Sequence, residues 1–215
     1  MICVSIDEQY SNNYLQLLDD VVMAEIRMDK MTLAGSDIKK IFAQPAMLIA
    51  TCRPGALADA KRKEYLFAAI DAGAAYVDLE LDSDDSFEKE VVEKARSRGC
   101  KVIISFHDYG KTPSKEVLKD ITSRCMREGA DIVKIACKVN RVADSARLLG
   151  LLGQEDLKGK LVVVGMGEKG RITRVAATYM GSPFTFASLA KGRETAEGQM
   201  EKERLEKIME LIDEE

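Results

Sequence analysis

The sequence predicts an α/β protein, a single-domain (β/α)8 TIM barrel spanning residues 1–215, and three observations predict it. Eight short apolar runs rich in β-branched residues recur along the chain at a spacing of roughly 20–30 residues, as repeated βα units require. Segments of helical periodicity lie between most of them, so the strands are expected to be parallel and joined by right-handed crossovers. No Gly-x-Gly-x-x-Gly turn follows the first run, which disfavours an open dinucleotide-binding sheet.

The expected strands are residues 2–6, 21–28, 46–52, 75–81, 101–106, 131–136, 161–164 and 184–187. Each is short, apolar and bounded by polar or glycine-bearing segments, the pattern of strands buried on both faces. Helices are expected over 58–72, 86–98, 114–128 and 141–152, where apolar residues recur every three to four positions. Three of these stop on a glycine just before a strand, at Gly73, Gly99 and Gly129, where a left-handed residue ends the last turn. The charged stretch 199–215 carries a helical pattern and is expected as the eighth helix.

A chain of 215 residues suffices for one well-buried domain, and 46% apolar with 32% charged residues is ordinary for a globular protein. The formal charge of −4 argues against nucleic acid as a partner, because phosphate binding needs a basic surface. It leaves room for a small anion held by a few converging arginines. No apolar stretch is long enough to span a membrane, and the first residues lack the basic and apolar regions of a signal peptide. Five scattered cysteines without a Cys-x-x-Cys pair are expected to be buried thiols in a cytoplasmic protein.

The chemistry-bearing residues gather at the ends of the expected strands, where barrel enzymes act. The second strand carries Glu25 and Arg27 on one face, the third ends in Arg53, and the fourth ends in Asp78 and Glu80. The only histidine, His107, closes the fifth, Lys134 stands inside the apolar sixth, and the loop after the seventh leads to Arg174. Singly, each has a structural explanation: an ion pair, a loop residue or a solvated side chain. A lysine in a buried strand must be paired or lose its proton. Neutralising one whose ordinary pKa is near 10.4 takes a shift of roughly three units, about 4 kcal/mol. Burial and nearby arginines such as Arg53 and Arg174 act in that direction, so a neutral amine beside an imidazole is expected.

In their order, these residues resemble type I 3-dehydroquinate dehydratase. Ala24-Glu25-Ile26-Arg27-Met28-Asp29 is similar to that family's Glu-x-Arg-x-Asp strand, Thr51-Cys52-Arg53 to its Thr-x-Arg, and Asp78-Leu79-Glu80-Leu81 to its acidic fourth strand. Ser105-Phe106-His107-Asp108-Tyr109 and Val133-Lys134-Ile135-Ala136 resemble the histidine and lysine motifs. The segment from Met166 to Arg174 resembles the carboxylate-binding loop, and Glu197-Gly198-Gln199 the closing lid.

The resemblance implies dehydration of 3-dehydroquinate to 3-dehydroshikimate, the third step of the shikimate pathway, through a Schiff base on Lys134. His107 would move protons, and Glu80 would hold its tautomer. Arg174 would pair with the substrate carboxylate, Glu25 and Arg53 would bind ring hydroxyls, and Arg27 would hold Glu25 in place. Thr195 and Gln199 would act from the lid. It further implies a homodimer and neither metal nor cofactor, in keeping with a sequence that offers no His/Cys ligand cluster. One departure stands in the lid: where the family commonly reads Ser-Ala-Pro-Gly-Gln, this chain reads Thr195-Ala196-Glu197-Gly198-Gln199, placing a flexible charged residue for a proline and leaving the lid contacts less secure.

Two other functions fit part of the pattern. A class I aldolase also carries its lysine on strand six, and Gly165-Met166-Gly167 with Gly170 could imitate its first phosphate loop. The stretch 188–193 after strand eight makes a poor glycine cradle. A barrel that keeps its rim charges as structural ion pairs and only binds or regulates is the second; the intact Lys134, His107 and Glu80 set argues against it.

Overall fold

The structure is a computed structural model that describes residues 1–7 and 14–214. Eight parallel strands alternate with helices in one barrel. The strands are β1 (Ile2–Ile6), β2 (Met23–Arg27), β3 (Met47–Thr51), β4 (Tyr76–Glu80), β5 (Lys101–Asp108), β6 (Ile132–Lys138), β7 (Leu161–Met166) and β8 (Thr185–Ser188). The helices are α1 (Tyr14–Leu18), α2 (Gly35–Phe42), α3 (Asp59–Asp71), α4 (Asp85–Ser97), α5 (Lys115–Arg127), α6 (Val142–Leu149), α7 (Arg171–Tyr179) and α8 (Lys202–Asp213). The expected strands are all present. The glycine stops at Gly73, Gly99 and Gly129 take φ values of 109°, 69° and 95°, a backbone that a side chain would strain.

The differences lie at element ends. β5 and β6 run past their expected limits, because His107 and Lys138 stay in register with the neighbouring strand although they are polar. α6 gives way to a 3-10 turn over Gly150–Gly153. α8 begins at Lys202 because 199–201 remain with the preceding loop, and the Glu215 end of the expected helix lies outside the described residues.

Two-residue steps along the strands sort the barrel interior. A lower tier of Cys3, Met23, Ile49, Ile103, Ile132, Val162 and Phe184 packs into one apolar cluster with Tyr76 against it. Two residues further along the same strands come Ser5, Glu25, Thr51, Asp78, Ser105 and Lys134, with Val164 and Phe186 completing the ring. Another two-residue step reaches Arg27, Arg53, Glu80 and His107 at the mouth. Side chains alternate faces along a strand, so a plugged floor beneath a polar tier follows directly from the sequence. The second core, between sheet and helices, is formed by the alternate residues such as Val77, Leu79, Val133 and Ile135.

The ladders run in the order β7-β6-β5-β4-β3-β2-β1-β8, and none joins β7 to β8, so the barrel is nearly closed. Helix α7 attends to that seam. Gly165 N–H on β7 donates to Thr173 Oγ1 at 2.8 Å, and the Phe186 carbonyl on β8 accepts from Arg174 Nη1 at 3.0 Å. The helix comes close because Gly165 and Gly170 cross without side chains: a β-carbon on Gly170 would lie 2.4 Å from the Gly165 carbonyl carbon. On the outer surface, α4 is capped by Asp84, whose carboxylate accepts from Ser86 N–H and Phe87 N–H at 3.0 and 3.1 Å.

Next to that cap, Glu88 is buried in a groove shared with Glu128 at the end of α5. Burial, then the Glu128 charge, pushes its carboxyl up to about 7. An acid whose pKa is raised on folding stabilises the fold fully below its unfolded value, and that contribution is lost as pH rises through about 7. Glu88→Gln is therefore expected to raise the Tm at pH 8 by ~2–4 °C, a gain that shrinks as the pH is lowered toward that of an ordinary carboxyl; thermal melts across pH check it.

Candidate active site

Lys134 sits in the polar tier with its Nζ 3.1 Å from Asp78 Oδ2 and 3.3 Å from Glu25 Oε1, and 4.0 Å from the Phe186 ring centroid. Both carboxylates are buried. Burial alone would push the Glu25 carboxyl up, but the Lys134 charge and then Arg27 overcome this and hold it well below the usual range. Asp78 is held low in the same way, burial being outweighed by Arg53 and Lys134. The lysine between two ionised carboxylates is an ammonium donating to both. The expectation of a neutral amine under the influence of arginines is corrected here: the resting group is paired, and the Arg53 charge is absorbed elsewhere.

Asp78 is the hub of the tier. It accepts both arms of the Arg53 guanidinium at 2.9 Å, the Ser105 hydroxyl at 2.6 Å, and Lys134. Arg53 reaches on to Glu80 Oε2 at 2.9 Å, and these carboxylates hold its guanidinium firmly charged despite burial. Glu80 in turn lies 2.9 Å from His107 Nδ1 through either oxygen. An ionised carboxylate only accepts, so Nδ1 carries the proton and Nε2 keeps its lone pair. Burial first, then the Arg53 charge, pushes the His107 pKa below its ordinary value against the upward pull of Glu80. Tyr109 stacks on the imidazole at 5.9 Å.

Glu25 is held by Ser5 Oγ at 2.9 Å, Thr51 Oγ1 at 3.1 Å and Lys134. Arg27 does not hold it as expected. The Arg27 fork closes on Asp29 at 2.8 and 3.1 Å, because the chain turns into a 3-10 helix at Met28 and brings that carboxylate back beside it. The Arg27 charge still reaches Glu25 through space.

Arg174 departs furthest from a solvated helix start. It is 1% exposed, the largest fully buried side chain among the described residues, and Nη1 alone is bonded, to the Phe186 carbonyl. Nε and Nη2 have no partner, and burial pushes its pKa down to about 10. A buried guanidinium without a counter-charge is a strong binding site for an anion, above all for a carboxylate that matches its fork.

The loop before α8 lies over these groups. Thr195 N–H and Oγ1 approach Gln199 Oε1 at 2.8 and 3.2 Å, and Gln199 Nε2 lies 3.4 Å from Ser5 Oγ. The Glu197 carbonyl accepts from Gly167 N–H at 3.0 Å, and its carboxylate pairs with Lys138. The loop expected to be insecure at Glu197 is docked there.

One cavity of about 130 Å³ is lined by Glu25, Arg27, Arg53, His107, Lys134, Arg174, Thr195 and Gln199, so eight of the nine expected residues converge, and Glu80 stands behind His107. Sequence inspection passed over Asp78 as hub, the Ser5, Thr51 and Ser105 donors, and Tyr109 and Lys138 in the lining. The two-residue step that selects Glu25 and Lys134 selects Asp78 and the three hydroxyls as well. Among the described residues, no group of three or more His, Cys, Asp and Glu side chains is arranged to hold a metal ion.

The sequence profile of the type I 3-dehydroquinase family matches residues 2–215. Similar proteins include the 3-dehydroquinate dehydratase of Methanocaldococcus jannaschii, 34% identical over 99% of both chains. That of a Methanococcus maripaludis strain is 33% identical over 99% of this chain and 100% of its own. Among solved structures, the 3-dehydroquinate dehydratase of Aquifex aeolicus superposes with a TM-score of 0.84 at 25% identity, covering 100% of both chains. A type I enzyme from Clostridium difficile, solved with covalently modified comenic acid, gives 0.85 at 24% identity, covering 98% of this chain and 91% of that one.

An unpaired buried guanidinium costs stability that an apolar side chain would return. Arg174→Met is expected to raise the Tm by a few degrees, ~2–4 °C per kcal/mol regained. A small carboxylate such as citrate is expected to stabilise the unaltered protein but not the variant. Calorimetry of both proteins with and without citrate checks both.

Proposed function

The chain belongs to the type I 3-dehydroquinase family, and from that membership we propose which residues carry its reaction, the dehydration of 3-dehydroquinate to 3-dehydroshikimate through a lysine Schiff base. The observation that supports the assignment most is one cavity holding a buried lysine, an imidazole with a free Nε2 and a guanidinium with two unpaired nitrogens.

Substrate binds with its carboxylate on Arg174 and its ring hydroxyls toward Glu25 and Arg53. The Lys134 ammonium then gives a proton to His107 Nε2, since Glu25 and Asp78 are held too firmly ionised to take it. The free amine attacks the C3 ketone; the alkoxide recovers the proton, and His107 assists departure of that oxygen as water. The product is an iminium whose positive charge falls where the ammonium was, between Glu25 and Asp78. It acts as electron sink while Nε2 removes the C2 proton to give an enamine. His107 returns that proton to the C1 hydroxyl, which leaves as water. Addition of water to the conjugated iminium releases the product and restores Lys134. Glu80 accepts from Nδ1 throughout and offsets the transient imidazolium.

The chain acts as a hydro-lyase. We assign it further to the cytoplasm, supported by five unpaired cysteines and by the finding that no helix among the described residues is long and apolar enough to cross a membrane. A homodimer belongs to the same assignment. Tyr179, Met180, Leu211 and Ile212, exposed at the ends of α7 and α8, are the apolar surface it would cover.

Addition of 3-dehydroquinate is expected to produce ultraviolet absorbance of a conjugated enone, and borohydride added during turnover should fix the substrate skeleton on Lys134, read by peptide mass. Lys134→Ala should lose the adduct and at least ~10⁴ of the rate. Labelling of an active enzyme at another residue would overturn the assignment. Protonating Nε2 stops the cycle, so kcat should fall with falling pH through an acid limb placed below the ordinary histidine value of about 6.5. Glu80→Gln removes an upward pull on that value, so the limb should move to lower pH while kcat drops ~10²-fold or more.

A further inference from the structure

We propose that Lys138 and Glu197 form an ion-pair latch that fastens the loop before α8 over the cavity and so positions Thr195 and Gln199 inside it. The inference rests on the assignment above for its catalytic meaning, but not for its structural test.

Lys138 is the last residue of β6, four positions beyond Lys134 on the same strand, and its side chain lines the same cavity. Its backbone is fixed from both sides: the carbonyl accepts the Thr112 hydroxyl at 2.8 Å, and the next residue's N–H donates to Met166 at 3.0 Å. The ammonium therefore projects from the rigid strand that carries the nucleophile, and it meets the Glu197 carboxylate. A second point of docking lies beside it, where Gly167 N–H donates to the Glu197 carbonyl. The backbones touch so closely there that a β-carbon on Gly198 would sit 2.2 Å from the Gly167 oxygen. Glu197 is thus held by side chain to the end of β6 and by main chain to the end of β7.

Thr195 and Gln199 stand two residues either side of Glu197, tied to each other by the Thr195 N–H and Gln199 Oε1 bond. Fixing the middle of this turn fixes both flanks. The pair is open to water on the Glu197 side, with that side chain 66% and Lys138 25% exposed. Exposed pairs hold weakly and are screened by salt, the property a fastening needs if it is to open at every turnover. Opening has an electrostatic consequence. It uncovers the Lys138 ammonium at a mouth already lined by Arg27, Arg53 and Arg174, which favours arrival of an anion; closing returns Glu197 and cancels the added charge.

Hydrogen exchange by mass spectrometry on the full ligand-free chain, at low and high sodium chloride, tests the latch. Glu197→Gln and Lys138→Met are each expected to speed exchange across residues 190–200 by ~2–5-fold, and high salt should do the same to the unaltered protein but not to either variant. The charge-swapped protein, Lys138→Glu with Glu197→Lys, should recover the slow exchange. In turnover assays the single variants should show a ~2–5-fold rise that falls on KM, with recovery in the swap. Wild-type exchange rates in both single variants, or no recovery in the swap, would overturn the latch. Normal latch behaviour in a protein that forms no adduct at Lys134 would instead overturn the enzymatic assignment and leave the latch standing.

Discussion

The rest of the site depends on the charge balance around Asp78. Lys134 can remain inside a barrel only if its ammonium finds anions where water cannot reach, since an isolated buried charge costs several kcal/mol. Asp78 and Glu25 supply them, and they are affordable to the fold only because Arg53, Ser105, Ser5 and Thr51 satisfy their remaining oxygens. Removing any one member leaves another buried charge exposed to the same cost. The tier is therefore best regarded as a single unit, in which the effects of substitutions are not additive.

That balance changes how a Schiff-base lysine is understood here. The sequence suggested an amine neutralised in advance by burial and by arginines. The geometry pairs the group with two carboxylates, and in the proposed mechanism its deprotonation becomes a step of the reaction. In the proposed mechanism the carboxylates beside Lys134 would also hold the iminium, so the same position would carry a positive charge before and after the carbon–nitrogen bond forms. Among the described residues that line the cavity, Arg174 is the cation that meets no carboxylate, and on the proposed assignment its uncompensated field is reserved for the substrate.

Much of this architecture was legible in the residues. Apolar runs alternating with amphipathic segments specify strands and helices locally, and Gly73, Gly99 and Gly129 mark helix ends because left-handed backbone is cheap only for glycine. Lys134 and Glu25 were legible because a charge in an apolar strand is conspicuous. Ser5, Thr51 and Ser105 were not, because serine and threonine are unremarkable in strands and their partners lie on neighbouring strands, 20 to 27 residues away. Arg27 was assigned to Glu25 from the family resemblance, with strand alternation placing both on one face, and the turn that returns Asp29 to it left no local signature. Apart from the family resemblance, Arg174 showed only as a basic residue near a helix start, since its burial depends on the Gly165–Gly170 crossing, which brings two segments together in space.

The contact between Gly198 and Gly167 sets the latitude within which this loop can diverge. With the main chains touching, neither a larger residue at 198 nor a displaced backbone at 167 can be accommodated, whatever the neighbouring side chains do. Position 197, whose side chain is largely exposed, carries no such restriction. Descendants of this sequence are thus free to exchange a charged fastening for a stiff or an apolar one at 197, while the glycine beside it stays fixed as the hinge pin of the whole arrangement.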